Sequence, residues 1–190
     1  MTCIAAFVDH STNQVWMGAD SIGISDYDAS VRADEKLFFN GDFLIGFCGS
    51  FRGGQIMRYH FEPPRVPAEC GDLDRFMVRD FIGKLRETYR SVGFTAFDDG
   101  REVGSPGGVL VAWRDRLWCM YDDFQIGSTR DGLYAVGLGR PYAIAALASS
   151  FECAPQEPPA KRLDRALRIS AHFSAGVRPP FHILSTAQNK

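Results

Sequence analysis

A chain of 190 residues that is 45% hydrophobic and 23% charged matches the globular average, which excludes disordered and fibrous classes, and it is long enough to bury a substantial core as one domain. Its formal net charge of −2 excludes the basic excess of a nucleic-acid binder. No apolar run approaches the ~18 residues that span a bilayer, and the five scattered cysteines, with no C-x-x-C pair, read as reduced thiols of a cytoplasmic protein.

The chain opens on Met1-Thr2 and an apolar strand, Cys3 to Val8. No basic stretch precedes that strand, and Asp9 and His10 interrupt it, so the segment does not read as a signal peptide. The polar cluster Asp9 to Gln14 turns the chain into a second strand, Val15 to Ala19. After a polar loop, Ser21 to Asp34, come strands Glu35 to Phe39 and Phe43 to Cys48, with Asn40-Gly41 between them as a strong hairpin signal.

The period then changes. A helix from about Arg52 is ended by Pro63-Pro64. A second helix has Asp72 as its N-cap and places Leu73, Phe76, Met77, Phe81, Leu85 and Tyr89 at helical spacing. Past a polar loop, Asp98 to Ser105, strands return at Gly108–Trp113, Leu117–Tyr121 and Leu133–Val136. Two helices follow, roughly Tyr142 to Ser150 and Ala160 to Phe173, and then a short strand, Phe181 to Leu184. Hairpin-linked strands alternating with paired helices predict an α+β fold. Their near-continuous apolar runs predict sheets buried on both faces, as in helix–sheet–sheet–helix layers.

Metal and triad chemistry find no support. His10, His60, His172 and His182 show no ligand spacing, and there is no G-x-S-x-G elbow. Gly137-Leu138-Gly139 follows a strand and opens a helix as a dinucleotide-binding turn does, but no second parallel strand with an acidic end comes after it. It reads as a tight strand-to-helix turn. No metal or cofactor is therefore expected.

Thr2 is the candidate nucleophile. Methionine ahead of a small residue is a good substrate for methionine aminopeptidase, and a threonine with a free α-amine carries its own base. Such a site needs a cation, an anion to hold it, and backbone N–H donors for the oxyanion. Asp20 ends the second strand, Lys36 stands at the third, and Gly46-Phe47-Cys48-Gly49-Ser50 leads from the fourth strand into a helix, where unpaired N–H groups gather.

With these motifs in this order (Thr2, Gly18-Ala19-Asp20-Ser21, Lys36, Gly46 to Ser50, Ala135 to Gly139 and Phe173 to Val177) the chain resembles the proteasome β-subunit and HslV-like peptidases, closest to small bacterial and phage proteasome-like proteins. The resemblance implies a four-layer αββα sandwich, with Thr2 as nucleophile, Asp20 and Lys36 as its charged support and the Gly49 N–H as oxyanion donor. It also implies a homo-oligomeric ring, a peptide or unfolded-protein substrate, and an ATPase unfoldase as partner. Two residues depart from the pattern. Leu138 stands where the family has a serine, and Ala171 stands where it has an aspartate.

Around this centre the readings divide. Gly46 serves close packing or the site. Ser50 supports the site from the helix entrance, and Phe47 walls a substrate pocket or joins the core. Ser174 caps its loop or supports Thr2. The arginine-bearing face of the second helix is solvated or meets another subunit. Two alternatives stand beside the peptidase: a non-catalytic ring subunit that keeps Met1, and an amidase or acylase of the same nucleophile class.

Overall fold

The computed structural model describes residues 1–99, 101–104 and 107–188. Strand β1 (Cys3–Asp9) turns into β2 (Gln14–Ala19), then a hairpin of β3 (Ile22–Ser25) and β4 (Asp28–Val31) precedes β5 (Leu37–Asn40) and β6 (Phe43–Phe47). Helix α1 (Phe51–Tyr59) is followed by α2 (Leu73–Phe76), a π-helical turn at Met77–Phe81 and α3 (Ile82–Ser91), which run on as one rod. A small hairpin, β7 (Ala96–Asp98) and β8 (Arg101–Val103), leads to β9 (Val109–Trp113), β10 (Arg116–Met120), β11 (Ile126–Gly127) and β12 (Leu133–Gly137). Helices α4 (Arg140–Cys153) and α5 (Pro159–Phe173) come before the last strand, β13 (His182–Ser185).

All strand pairs are antiparallel. One sheet runs β12-β1-β2-β13 and the other β11-β10-β9-β6-β5. Strand β1 shows why the sequence stacks them. Its alternate residues Cys3, Ala5 and Phe7 pack under α4 and α5 with Leu147, Leu163 and Leu167. The residues between them, Ile4 and Ala6, meet Leu44, Leu110 and Ala112 of the other sheet. The outer face of that second sheet buries Phe43, Ile45 and Phe47 against Ile56, Met77, Phe81 and Leu85 of the first helices. Three apolar seams thus join four layers, αββα, as the resemblance implies.

Glycines set the closest approaches. A Cβ on Gly46 would lie 2.8 Å from both Ile4 Cγ2 and Met17 Sδ across the two sheets. On the other side of the first sheet, a Cβ on Gly18 would lie 3.0 Å from Leu167 Cδ1 of α5.

The structure corrects several expectations. The loop expected over Ser21–Asp34 contains the β3–β4 hairpin. Of the loop expected over Asp98–Ser105, Gly100 and Ser105 lie outside the described residues, and Asp98 pairs with Arg101 in the β7–β8 hairpin. The strand expected from Glu35 begins at Leu37. Asp72 is the N-cap of α2, its carboxylate accepting from Arg75 N at 2.9 Å.

Candidate active site

Thr2 stands at the head of β1, between the ends of two neighbouring strands. Cys3 lies opposite Gly137 on β12, and Ile4 lies opposite Ala19 on β2. Each neighbour grips the start of β1. On one side, the Cys3 amide donates to Asp20 Oδ1 at 2.9 Å while the Asp20 amide donates to Cys3 O at 3.2 Å. On the other side, the Gly139 amide donates to Thr2 O at 3.2 Å. Gly137 has φ of +89°, and a Cβ there would fall 2.2 Å from Thr2 O, so only glycine lets the turn close this tightly. Thr2 is buried under Met1, and its hydroxyl donates to Met1 O.

Asp20 is fully buried and is the most connected side chain here. Its Oδ1 accepts from Lys36 Nζ and from Cys3 N, each at 2.9 Å. Its Oδ2 accepts from Ile22 N at 3.1 Å and Arg178 N at 3.4 Å. The charge therefore has a cation and three amides around it, the arrangement that makes a buried carboxylate tolerable. Lys36 reaches it from the entrance to β5, on the other sheet, and is itself 1% exposed. Burial pushes the Lys36 ammonium pKa down, and Asp20 pulls it back up.

The turn from β6 into α1 lies beside this pair. Burial pushes the Cys48 thiol pKa up, opposed by the Gly108 backbone, the chain's amino terminus and Lys36. Gly49 follows with φ of +94° and is exposed. Among the described residues no carbonyl or side chain accepts from its N–H. An unpaired N–H just ahead of a helix N-terminus is an anion-directed donor.

The remaining predicted residues take other positions. Gly46 lies in the seam between the sheets, where it allows close packing. Phe47 is buried on the helix side of its sheet, its ring 5.9 Å from that of Phe51 and pressed against Gly54. There it belongs to the core and floors a small cavity with Asp34, Gln55 and Arg58. Ser50 caps α1, accepting from Gly53 N at 3.3 Å. Ser174 caps its own loop, accepting from Gly176 N at 3.3 Å. Leu138 is 55% exposed at the turn beside Thr2, and Ala171 is half-buried near the end of α5.

Four groups were not predicted from the sequence. The amides of Cys3, Ile22 and Arg178 are backbone donors and carry no residue signature. Ser170 does carry one: it is a polar residue on the inward stripe of α5, after Leu163, Ala166 and Leu167. Its hydroxyl lies 3.0 Å from Ala166 O and 3.2 Å from Gly139 O, and Cys3 Sγ is 3.7 Å away. It ties α5 to the turn that holds Thr2. Among the described residues no cluster of side chains could hold a metal, and no helix is long and apolar enough to cross a membrane.

Two stacked antiparallel sheets flanked by helices on both outer faces match the four-layer fold of proteasome-type subunits. No family model matches the chain, and no curated protein matches it in sequence. Solved structures do. The chain is similar to BPH of Thiobacillus denitrificans in complex with epoxomicin, at 17% identity and a TM-score of 0.76 over 97% of each chain. It is also similar to the eukaryotic HslV of Trypanosoma brucei, at 17% identity and 0.69 over 97% of this chain and 98% of that one. Anbu, an ancestral beta-subunit from Yersinia bercovieri, follows at 11% identity and 0.63, covering 97% and 81% of the two chains. The chain shares the fold of these HslV-like and proteasome-like subunits.

Proposed function

We propose that the chain is a threonine-type N-terminal nucleophile hydrolase that cleaves peptide bonds once the bond between Met1 and Thr2 is broken, working as a subunit of a ring-like, self-compartmentalised assembly. One observation carries this reading. The buried Lys36–Asp20 pair is anchored on the Cys3 amide, one residue from Thr2. A buried ion pair is a poor device for stability alone, and this one stands behind the only residue of the site whose amine and hydroxyl could together do acyl transfer.

In this reading the α-amine of Thr2 takes the Oγ proton, and Lys36 favours the neutral amine by like-charge repulsion. The oxygen attacks the substrate carbonyl, and the Gly49 N–H donates to the oxyanion. The amine then passes its proton to the departing nitrogen. Water attacks the resulting ester, restoring the Thr2 hydroxyl and releasing the acid. An unfolded chain delivered by an ATPase fits a site enclosed within a ring.

A second reading, a non-catalytic ring subunit that keeps Met1, draws on Leu138. Its exposed apolar side chain offers the amine no hydrogen bond.

Intact-mass analysis and treatment with epoxomicin, an epoxyketone, separate the two readings. The hydrolase loses Met1 and gains one adduct at Thr2, and Thr2→Ala gains none. Retained Met1 with no adduct would overturn the peptidase. A native mass equal to one chain would overturn the ring.

A further inference from the structure

Four of the large apolar side chains left exposed on the described residues belong to Met1 itself and to the segments around the turn that holds Thr2. Met1, Leu138, Tyr142 and Phe173 are 52%, 55%, 39% and 62% exposed. They fall in two contact pairs, Met1 with Leu138 and Tyr142 with Phe173, linked through the same two chain segments, 138–142 and 173–176. A Cβ added to Gly176 would lie 2.8 Å from Met1 Cβ and 3.2 Å from Leu138 Cδ1, so both side chains rest on that glycine. Tyr142, in the first turn of α4, stacks on Phe173 with ring centroids 5.4 Å apart and planes at 25°. Phe173 ends α5, three residues before Gly176. The patch is also held in register with the candidate nucleophile, because the turn bearing Leu138 is closed onto Thr2 O through Gly137 and Gly139.

Met1 shows what this surface takes. Its side chain is an apolar ligand carried by the chain itself, on the residue whose carbonyl carbon is bonded to the Thr2 nitrogen. In N-terminal threonine chemistry that nitrogen, having taken the Oγ proton, must pass it to the departing amine, which therefore stands within ~3 Å of it. The first residue on the leaving side of the scissile bond thus meets the groups that surround the Thr2 nitrogen. Those groups include Leu138 and Gly176, on which the Met1 side chain rests.

We infer that removal of Met1 opens an apolar subsite, walled by Leu138 over Gly176 and extended by Tyr142 and Phe173, that selects peptides with a large apolar residue directly after the scissile bond. This rests on the peptidase reading above. It also gives Leu138 a use: where the family pattern has serine, this chain trades a hydroxyl near the amine for an apolar contact with the leaving half of the substrate. Gly176 is required because any side chain would fill the slot.

The test uses protein whose intact mass shows loss of Met1, with active sites counted by epoxomicin, which places nothing on the leaving side. Internally quenched peptides identical up to the scissile bond carry Leu, Met, Phe, Gly or Asp immediately after it. The expected kcat/KM for Leu, Met or Phe is at least tenfold above that for Gly or Asp, the scale that partial burial of one such side chain supplies. Leu138→Ser, at an exposed position that folding does not depend on, should reduce the Leu-to-Gly ratio to less than threefold. Tyr142→Ala should erode the preference for Phe more than that for Leu. Labelled Thr2 with equal rates for all five peptides overturns the subsite and leaves the peptidase standing. An unchanged ratio in Leu138→Ser also overturns the subsite. Unlabelled Thr2 with no peptide cleaved overturns both.

Discussion

Asp20→Asn, Lys36→Met and their combination test whether the Asp20–Lys36 pair is a coupled, dehydrated unit. In the native protein Asp20 accepts from Lys36, Cys3, Ile22 and Arg178 while fully buried. Asp20→Asn leaves one oxygen for these donors and an ammonium with no counter-charge in a dry site, at a cost of about 3–5 kcal/mol against a typical total of ~5–15. Lys36→Met is milder, about 2 kcal/mol, because three amides still hold the carboxylate. The decisive quantity is Lys36→Met in the Asp20→Asn background. There it removes an unpaired buried cation, so it should be neutral or stabilising, a reversal of sign. Urea unfolding followed by tryptophan fluorescence measures all four corners of the cycle. If Lys36→Met destabilises both backgrounds by the same amount within about 0.5 kcal/mol, the pair is not coupled and the account of the site is wrong.

Two further predictions concern the strand that carries Thr2. Burial pushes the Cys3 thiol pKa from 9.0 up to about 12, with Asp20 adding to the rise while Ser170 and Lys36 oppose it. Above pH 9.0 the unfolded thiol loses its proton first and the folded one keeps it, so this contribution is intact below that pH and is lost as pH climbs toward 12, at up to ~1.4 kcal/mol per unit. Cys3→Ala should therefore flatten the fall in urea midpoint between pH 8 and pH 10, and parallel slopes for variant and wild type would refute the assignment. Gly137→Ala places a methyl 2.2 Å from Thr2 O at a φ of +89°. It should cost about 2 kcal/mol or more and slow epoxomicin labelling of Thr2 at least tenfold. Wild-type stability together with wild-type labelling would remove the turn from the site.

The layered fold was legible because strands buried on both faces announce themselves as apolar runs, and β1 from Cys3 to Val8 is the clearest case. The hairpin β3–β4 was not, because its second strand, Asp28-Ala29-Ser30-Val31, is exposed throughout and alternates nothing. The helical rod is continuous in the sequence as in the fold, and its π turn left no mark there, because Met77, Phe81, Leu85 and Tyr89 keep the four-residue spacing of an α-helical face. Asp20 and Lys36 stand out in the sequence as charges at strand ends, and the structure brings the two together. Phe47 was ambiguous because an aromatic residue at a strand end looks the same on either face. Its direction is set by Gly54, whose missing Cβ admits the ring. The Arg178 amide lies 158 residues from Asp20 in sequence and belongs to no motif, so only the folded chain brings it to the carboxylate.

Because Asp20 hangs from the end of one sheet and Lys36 from the entrance to the other, the ion pair is also a rivet through the sandwich. The candidate site is thereby tied to both sheets, which cannot slide or part without separating the two charges. A protein built this way should keep its site rigid up to the point of global collapse. Heat or denaturant should then remove the function and the fold together, in one transition.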